Sequence, residues 1–322
     1  MEPANRTGPV HVVCADDLAG RVAVVTGGGR GLGRVTALAL LKAGASVMIT
    51  SRDRQTLAET VALSGADSRA AFVVADIATQ AGCDALVEAA IDTFGHVDIL
   101  FNNAGLGPPD IKTNVMAEPY RFWEVDRETL ERFHAVNSVT PVVLAGMLVP
   151  SMIERGWGRI VNDTTSLSTM LFFTAYGGSK ASLEAHTACM ARDLEGTGVT
   201  ANVLVPGGAA ATRMGEGLGI RQDQMIDPSV MAGPSVWLAS AASDGVNGRR
   251  FVASRWDFTL PPDEAAKRVN AGDPVAHYTE GYKTFNGLAF PTRRRVYRRN
   301  PGSTPDRSLT AITLDIHDIT AA

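Results

Sequence analysis

Apolar residues in the middle of this chain follow two alternating patterns. Short runs rich in Val and Ile, with little polar alternation, are separated by longer segments whose apolar residues recur at helical spacing. A short run without alternation is typical of a strand that is buried on both faces, as in a parallel sheet. The runs lie at 22–26, 46–50, 71–74, 97–102, 159–162, 200–205 and 250–253.

Helical spacing is clearest in the segments that separate these runs. Repeated strand–helix alternation predicts βαβ units, and right-handed crossovers then place helices on both faces of the sheet. The sequence therefore predicts an α/β protein with a doubly wound parallel sheet of about seven strands. The helical segments lie at 32–43, 55–63, 83–94, 128–153, 179–194 and 228–239.

The strand–helix rhythm begins near Leu18 and stops after Asp257. We therefore expect an N-terminal extension at 1–17, one α/β domain at 18–257 and a partly irregular C-terminal extension at 258–322. The extension is rich in Pro, Gly and Arg and includes the run FPTRRRVYRRN. It is interpreted as an extended tail, or as an arm that packs on a neighbouring subunit.

Composition excludes several classes of protein. The chain has 322 residues, 45% of them apolar, and a net charge of −4, so it has no general attraction to nucleic acid or anionic membranes. No unbroken apolar run reaches the roughly 18 residues that span a bilayer. The three cysteines, Cys14, Cys83 and Cys189, lie far apart, which favours a reducing cytoplasm over a disulfide framework. Neither the histidines nor the cysteines have metal-ligand spacing, so no metal site is expected.

A glycine-rich turn, VVTGGGRGLGR, links the first predicted strand to the first helix. Gly27, Gly31 and Gly33 would let the backbone approach a pyrophosphate that side chains would block, and Leu32 lies between the last two. The N–H groups and dipole of the following helix would face the anion. In this context the turn predicts a dinucleotide site.

The spacing T-G-x-x-x-G-x-G, led by Thr26, resembles that of the short-chain dehydrogenase/reductase family. The resemblance implies a Rossmann-type fold and a nicotinamide cofactor, and it covers about 18–257. It also implies that further residues contact the cofactor. These are Asp76 and Ile77 after the third strand, Asn103, Ala104 and Gly105 after the fourth, and Pro206, Gly207 and Thr212 after the sixth.

The end of the second strand bears on the choice between NADP(H) and NAD(H). An acidic residue there binds the ribose 2′-OH in enzymes that use NAD, whereas this chain has Ser51 followed by Arg52. Arg30 in the glycine turn is a second candidate for a 2′-phosphate, which guanidinium groups bind with paired donors. We expect NADP(H); NAD(H) becomes the alternative if the strand ends later and brings Asp53 to this position.

Tyr176 and Lys180 form the motif Y-G-G-S-K, with the two side chains on one helix face. Hydride transfer to a carbonyl produces an alkoxide that needs a proton. A phenol can donate that proton, and a neighbouring ammonium lowers its pKa. The resemblance implies that Lys180 also binds the nicotinamide ribose. It implies further that Asn137 holds a water in a proton relay, although a helix Asn bonded to backbone is the alternative.

The segment NDTTSLSTMLFFTAY departs from the family's N-x-S-S pattern. Aligning on Asn162 places Thr165 where the family has the Ser that polarises the carbonyl, with Ser166 as the second candidate. Thr165 lies eleven residues before Tyr176, where the family more often has about thirteen. We therefore expect a loop shortened by two residues. Residues 170–173 would line the substrate pocket or pack beneath it, and the stretch after Pro206 would act as a lid.

These features predict an oxidoreductase that transfers a hydride between NADP(H) and a small carbonyl or alcohol substrate, as a ketone or aldehyde reductase. The alternatives are an NAD-dependent alcohol or polyol dehydrogenase and a non-catalytic NADP-binding regulator. By analogy with the family we expect a homodimer or homotetramer joined through helices 128–153 and 179–194. Nucleic-acid binding through the arginine run is not expected.

Overall fold

The structure, a computed structural model, describes residues 17–66 and 68–269, together with the backbone of three strands between 276 and 315. The chain divides into two compact units, Met1–Val269 and Asn270–Ala322. Apart from its last residue, the N-terminal extension expected at 1–17 lies outside the described residues.

The first unit is built on a seven-stranded parallel sheet with the strand order β3-β2-β1-β4-β5-β6-β7. The chain adds β2 and β3 on one side of β1 and then β4 to β7 on the other side. A crevice forms at the carboxyl ends of the strands where this direction changes, between β1 and β4. This confirms the predicted doubly wound sheet. The strands are β1 (Val22–Thr26), β2 (Ser46–Ser51), β3 (Ala70–Val74), β4 (Ile99–Asn102), β5 (Gly158–Asp163), β6 (Val199–Val205) and β7 (Arg250–Val252).

Helices connect the strands and cover both faces of the sheet. They are α1 (Gly31–Lys42), α2 (Arg54–Ser64), α3 (Gln80–Phe94), α4 (Arg127–His134), α5 (Thr140–Glu154), α6 (Leu167–Met170), α7 (Thr174–Asp193), α8 (Arg213–Gly217), α9 (Ala232–Ala239) and α10 (Pro262–Val269). Single 3₁₀ turns lie at Pro108–Asp110, Phe122–Glu124, Gln222–Gln224, Pro228–Met231, Ala241–Ser243 and Ala253–Arg255.

Alternate residues of each central strand enter two separate hydrophobic cores. In β1, Ala23 and Val25 pack with α1 and α9, whereas Val22 and Val24 pack with α3 and α5. All five residues of β1 are buried. Burial on both faces explains why these strands show no polar alternation in the sequence.

The helix predicted at 128–153 is interrupted by a π-helical turn, Ala135–Val139, between α4 and α5. Extra residues in a π turn widen the helix locally, and such turns frequently lie at functional sites. The apolar spacing of the segment is helical on both sides of the turn, so the sequence did not reveal it.

The combined helix Arg127–Glu154 is long and apolar enough to cross a membrane by length and composition, since one 18-residue stretch of it has a mean hydropathy of 1.6. The segment contains no unbroken apolar run of that length, because polar residues such as Arg132 and Asn137 interrupt it. Part of the helix is core in this fold, since Leu144, Leu148 and Met152 are buried against the sheet.

The structure after Asp257 is more regular than the sequence indicated. Helix α10 packs beside α9, and its residues Ala265, Ala266 and Val269 are buried in the core. The first unit therefore continues to Val269 rather than ending at Asp257. A helix of eight residues is too short to give a clear period in the sequence.

The second unit contains a three-stranded antiparallel sheet in the order β10-β9-β8, where the sequence indicated a partly irregular extension. Its strands are β8 (Ala276–Phe285), β9 (Leu288–Arg299) and β10 (Pro305–Asp315). The arginine run thus lies on the central strand, where Arg293 is in register with Glu280 on one side and Asp315 on the other. Register between strands is set by partners distant in sequence, which local periodicity does not reveal.

A buried carboxylate ties the amino ends of the central strands together. Asp98, 2% exposed, precedes β4 and accepts a hydrogen bond from the backbone N–H of Val22 at 3.1 Å. Its oxygens also lie 3.0 Å from His96 Nε2 and 3.5 Å from a guanidinium nitrogen of Arg155. Because these donors share a single carboxylate, its removal leaves the buried N–H of Val22 without this acceptor and takes the same acceptor from the partly exposed His96 and Arg155 side chains.

We predict that Asp98→Ala lowers the free energy of unfolding by about 2–4 kcal/mol, because it removes the acceptor that these donors share. Urea denaturation of both proteins measures the change. Asp92→Ala, an exposed aspartate on α3, serves as the control and should stay within about 0.5 kcal/mol of the unmodified chain. An equal effect of the two substitutions would contradict the proposed bracing role.

Candidate active site

A cavity of about 1200 Å³ lies at the carboxyl ends of the strands. Such a crevice is where doubly wound folds bind their ligands. It is lined by every site residue that the sequence indicated except Asn137. The residues are Gly27, Arg30, Gly31, Leu32, Gly33, Ser51, Arg52, Asp76, Ile77, Asn103, Ala104, Gly105, Thr165, Ser166, Tyr176, Lys180, Pro206, Gly207 and Thr212.

The glycine turn between β1 and α1 is too tight for side chains. Gly27 and Gly31 have left-handed φ values of +70° and +54°. A Cβ on Gly33 would collide with the carbonyl of Gly27 and the amide of Asn103. The first residue before α1, Arg30, makes no side-chain capping bond to the helix. The N–H groups of this helix end therefore face the cavity without a side-chain cap, which fits a pyrophosphate.

Thr26 joins the glycine turn to the turn after β4. Its hydroxyl accepts hydrogen bonds from the backbone N–H groups of Asn103 and Ala104, each at 3.0 Å. The side-chain amide of Asn103 donates back to the carbonyl of Thr26 at 2.8 Å. The two turns that line the dinucleotide end of the cavity are therefore held at a fixed separation.

Strand β2 ends at Ser51, and the acidic Asp53 beyond it caps helix α2. Asp53 accepts hydrogen bonds from the N–H groups of Gln55 and Thr56. Its carboxylate is thus occupied with the helix end. Arg30 and Arg52 are exposed at the cavity, and the side chain of neither makes a hydrogen bond or ion pair with any described residue.

The remaining residues indicated for the cofactor surround the same cavity. Asp76 and Ile77 follow β3, and Asp76 accepts a hydrogen bond from Ala78 N at 3.1 Å. Gly207 has a φ of +96° where the chain leaves β6. Thr212 caps α8, and its methyl group lies against the glycine turn, 3.1 Å from the position of a Cβ on Gly31.

Tyr176 and Lys180 lie on the first turns of α7 and are 8% and 4% exposed. The side chain of Thr165, just after β5, lies beside the Tyr176 phenol and acts to lower its pKa. Lys180 Nζ donates to the backbone carbonyl of Asp163 at 2.7 Å. A hydroxyl, a phenol and an ammonium thus meet at one point of the cavity wall.

Ser166, the second candidate for the hydroxyl, has a different environment. Its side chain caps α6 by accepting a hydrogen bond from Thr169 N at 3.1 Å, and it lies 2.8 Å from the Thr169 hydroxyl. Helix α6 fills the connection between β5 and α7 that the sequence indicated to be short. Of residues 170–173, Phe172 and Phe173 line the cavity, and Leu171 is 91% exposed.

Asn137 is fully buried in the π turn behind the cavity. Its amide oxygen accepts from Leu106 N at 2.8 Å, and its amide nitrogen donates to Leu106 O and to the Ser179 hydroxyl. Gly105 separates it from the lysine, since a Cβ there would lie 3.1 Å from Asn137 Oδ1 and 3.5 Å from Lys180 Nζ. The side-chain amide is therefore bonded to protein groups, including backbone, beside Lys180.

Residues 21–223 match the family model for short chain dehydrogenases. The chain belongs to the short-chain dehydrogenase family. Membership makes it an oxidoreductase that acts on a carbonyl or alcohol with a nicotinamide cofactor.

Named relatives and solved structures resemble the dehydrogenase along most of its first unit. It is 36% identical over 200 residues to the ketoacyl reductase HetN of Nostoc sp. strain PCC 7120, covering 61% of this chain and 66% of that protein. It is 29% identical to a fluoren-9-ol dehydrogenase of Terrabacter sp. strain DBF63, covering 80% and 82%. A solved short-chain alcohol dehydrogenase structure from Sinorhizobium meliloti 1021 superposes with a TM-score of 0.65 at 29% identity, covering 74% of this chain and 97% of that one.

Sequence reasoning passed over Asp163, a carboxylate 7% exposed that lines the cavity. Its Oδ1 is buried and accepts no hydrogen bond from the described residues. Burial raises the pKa of this carboxyl from 3.8 to about 7, opposed in part by the positive charge of Lys180. The available signal was an acidic residue at the end of an otherwise buried strand, which is rare unless the residue is paired or functional.

Burial also changes the acidity of the neighbouring groups in the dehydrogenase. Burial raises the pKa of Tyr176 to about 12; the hydrogen bond with Thr165 opposes this shift, and the charge of Asp163 adds to it. Burial lowers the pKa of Lys180, and the carboxylates of Asp163 and Glu184 oppose that shift. The phenol is therefore held in its protonated form near neutral pH.

The free energy of unfolding is expected to fall as the pH rises from 4 to 7, in part because of Asp163. We predict that Asp163→Asn makes this fall smaller. The unfolded chain ionises Asp163 near its ordinary pKa of 3.8, whereas the folded chain keeps the proton up to about pH 7. Within this window the folded state binds more protons, so this group's stabilising contribution falls as the pH rises, by on the order of a few kcal/mol in total.

Urea denaturation gives the free energy of unfolding of both proteins at pH 5 and at pH 8. The change between the two pH values should be smaller in Asp163→Asn than in the unmodified chain. Asp92→Asn, at an exposed site, is the control and should keep the pH dependence of the unmodified chain. The same pH dependence in Asp163→Asn would show that Asp163 does not take up a proton on folding.

Proposed function

We propose that this dehydrogenase uses NADP(H) to reduce the carbonyl group of an apolar ketone or aldehyde. The observation that carries the proposal is the meeting of the Thr165 hydroxyl, the Tyr176 phenol and the Lys180 ammonium in one cavity wall. The same cavity continues to a glycine turn that fits a pyrophosphate and to two exposed arginines.

When bound, the cofactor supplies the hydride for reduction and accepts it in the reverse reaction. We assign the binding of the carbonyl oxygen to the hydroxyl groups of Thr165 and Tyr176. Tyr176 donates its proton to that oxygen as negative charge develops on it, which is general acid catalysis. Lys180 stabilises the phenolate that remains, because its ammonium lies on the same helix face one turn away.

Reprotonation of Tyr176 needs a route from solvent. Asn137 supports such a route by holding the backbone of Leu106 beside Lys180, with its amide fixed by Leu106 and Ser179. A relay through this region then uses water and backbone groups placed by Asn137. We assign Asn137 a positioning role.

The preference for NADP(H) is supported by the end of β2. Ser51 stands where an acid would bind a ribose 2′-OH, and the one nearby carboxylate in this turn, Asp53, caps α2. Arg30 and Arg52 supply two guanidinium groups for a 2′-phosphate, which they bind with paired, charge-assisted hydrogen bonds.

Apolar walls of the cavity favour a bulky apolar substrate. The wall beside Tyr176 comes from the loop after β4 and from the segment around α8. These segments are joined by hydrogen bonds from Asn114 N to Gly217 O and from Met116 N to Leu218 O. The substrate of the named fluorenol dehydrogenase is of this chemical kind. The apolar lining residues include Leu106, Met116, Phe172, Phe173, Met214 and Leu218.

We further propose that the enzyme works in the cytoplasm as a homodimer or homotetramer that binds neither nucleic acid nor membrane. Assembly through the long helices is supported by large apolar side chains exposed on the first of them, at 128–153. Val139 is 53% exposed and Ile153 is 41% exposed.

Tyr176→Phe tests the assigned proton donor. We expect kcat to fall by about 10²- to 10⁴-fold, the usual contribution of a positioned acid. NADPH oxidation with a panel of apolar ketones that includes 9-fluorenone measures the change. Tyr120→Phe is the matched control, because Tyr120 lies in the same hydrophobic cluster and its buried hydroxyl has no hydrogen-bond partner among the described residues.

Retention of full activity by Tyr176→Phe would refute the assigned role. Tight NADPH binding without turnover of any substrate in the unmodified protein would favour the cofactor-binding regulator instead.

Replacing both cavity arginines tests the cofactor preference. We expect Arg30→Gln/Arg52→Gln to raise KM for NADPH about 10- to 100-fold while KM for NADH stays nearly constant, because only NADPH carries the 2′-phosphate. Steady-state kinetics with each cofactor measure both values. Arg54→Gln is the control, since Arg54 is exposed on α2, stacks on Phe72 and does not line the cavity. Equal changes for both cofactors would contradict the assignment.

A further inference from the structure

Two charged residues outside the cavity lining hold the segment that carries Thr165. Glu184 lies on α7, one helical turn beyond Lys180, and Arg250 is the first residue of β7. They form an ion pair with Arg250 Nε 3.0 Å from Glu184 Oε1, and their side chains are 23% and 20% exposed. Neither residue lines the cavity.

The pair is bonded to two consecutive threonines that follow β5. Glu184 Oε1 accepts a hydrogen bond from the Thr164 hydroxyl at 2.6 Å. Arg250 Nη2 donates to the backbone carbonyl of Thr165 at 2.7 Å. One guanidinium therefore connects the carboxylate to the Thr165 main chain, and the carboxylate connects to Thr164.

Thr165 has few other restraints on its position. The backbone pairing of β5 with β6 continues through Thr164, whose N–H donates to the carbonyl of Leu204 at 3.1 Å. Ser166 already caps α6. Thr165 thus lies in the connection between β5 and α6. Its hydroxyl reaches Tyr176 only if this connection keeps its conformation.

We propose that Arg250 and Glu184 are positioning residues that aim the Thr165 hydroxyl at Tyr176. The inference rests on the proposed function, because it gives Thr165 a role in binding the substrate oxygen. The hydrogen bond from Arg250 to the Thr165 carbonyl is suited to this positioning role, since a planar guanidinium presents its donors in a fixed geometry. A displacement of a reacting group by about 1 Å is enough to lower the rate on the order of 100-fold.

The experiment is a double-mutant cycle in the full-length chain between Arg250→Met and Thr165→Val. Steady-state kcat and KM are measured with NADPH and 9-fluorenone, or with the best-used ketone of the panel. NADPH affinity is measured separately by fluorescence, and thermal unfolding checks that each variant folds. Arg249→Met is the matched control, because the Arg249 side chain makes no hydrogen bond or ion pair within the described part of the chain.

We expect Arg250→Met to lower kcat about 10-fold with KM changed less than about twofold, as for an interaction made mainly in the transition state. NADPH affinity should stay unchanged. In the Thr165→Val background the same substitution should have no further effect on kcat, since the group it positions is absent. Glu184→Gln, which keeps an acceptor oxygen, should lose less activity than Glu184→Ala.

An equal loss of kcat from Arg250→Met in both backgrounds would overturn the proposal, as would an equal effect of Arg249→Met. Should Arg250→Met fail to fold, Glu184→Ala is carried through the same cycle with the same expected outcomes. Full activity of Tyr176→Phe or Thr165→Val in these assays would instead refute the proposed function, so the two failures are distinguishable.

Discussion

The ammonium of Lys180 is a charge buried inside the protein, and the surrounding structure is arranged to hold it there. Its nitrogen donates to the carbonyl of Asp163 at 2.7 Å, and the carboxylates of Asp163 and Glu184 compensate its charge. A buried charge without such partners would lose its proton or destabilise the fold. The acidity of Tyr176 and the placement of the two threonines after β5 depend on the same few contacts.

The parallel sheet brings these groups to one place. Every strand ends at the same edge, so turns that are far apart in sequence surround a single cavity. The turn after β1 supplies unbonded helix N–H groups and Arg30, the turn after β2 supplies Arg52, and the segment after β5 supplies the Thr165 hydroxyl. Thr26 joins the first of these turns to the turn after β4. The glycine turn and the Tyr176–Lys180 pair therefore lie along one edge of the sheet.

Much of this arrangement could be read from local patterns. Buried strands of Val and Ile gave the sheet, and the glycine turn and the Tyr176–Lys180 spacing indicated the two ends of the cavity. Other features left no local mark. The π turn at Asn137 lies in ordinary helical spacing, and the pairing of the arginine run in β9 depends on strands elsewhere in the chain. The sequence placed Thr165 first and Ser166 second for the hydroxyl, but residue type did not separate them, because both carry a hydroxyl.

Residue type and short-range spacing therefore established the fold class, the family and most of the cavity lining, because these depend on properties that repeat along the chain. Contacts between distant segments settled the rest. Ser166 caps a helix while Thr165 lies beside Tyr176, and Arg250 reaches Thr165 from a strand 85 positions later. Such contacts depend on how βαβ units stack in space, and a hydroxyl or a guanidinium acquires its role only from the neighbours that stacking provides.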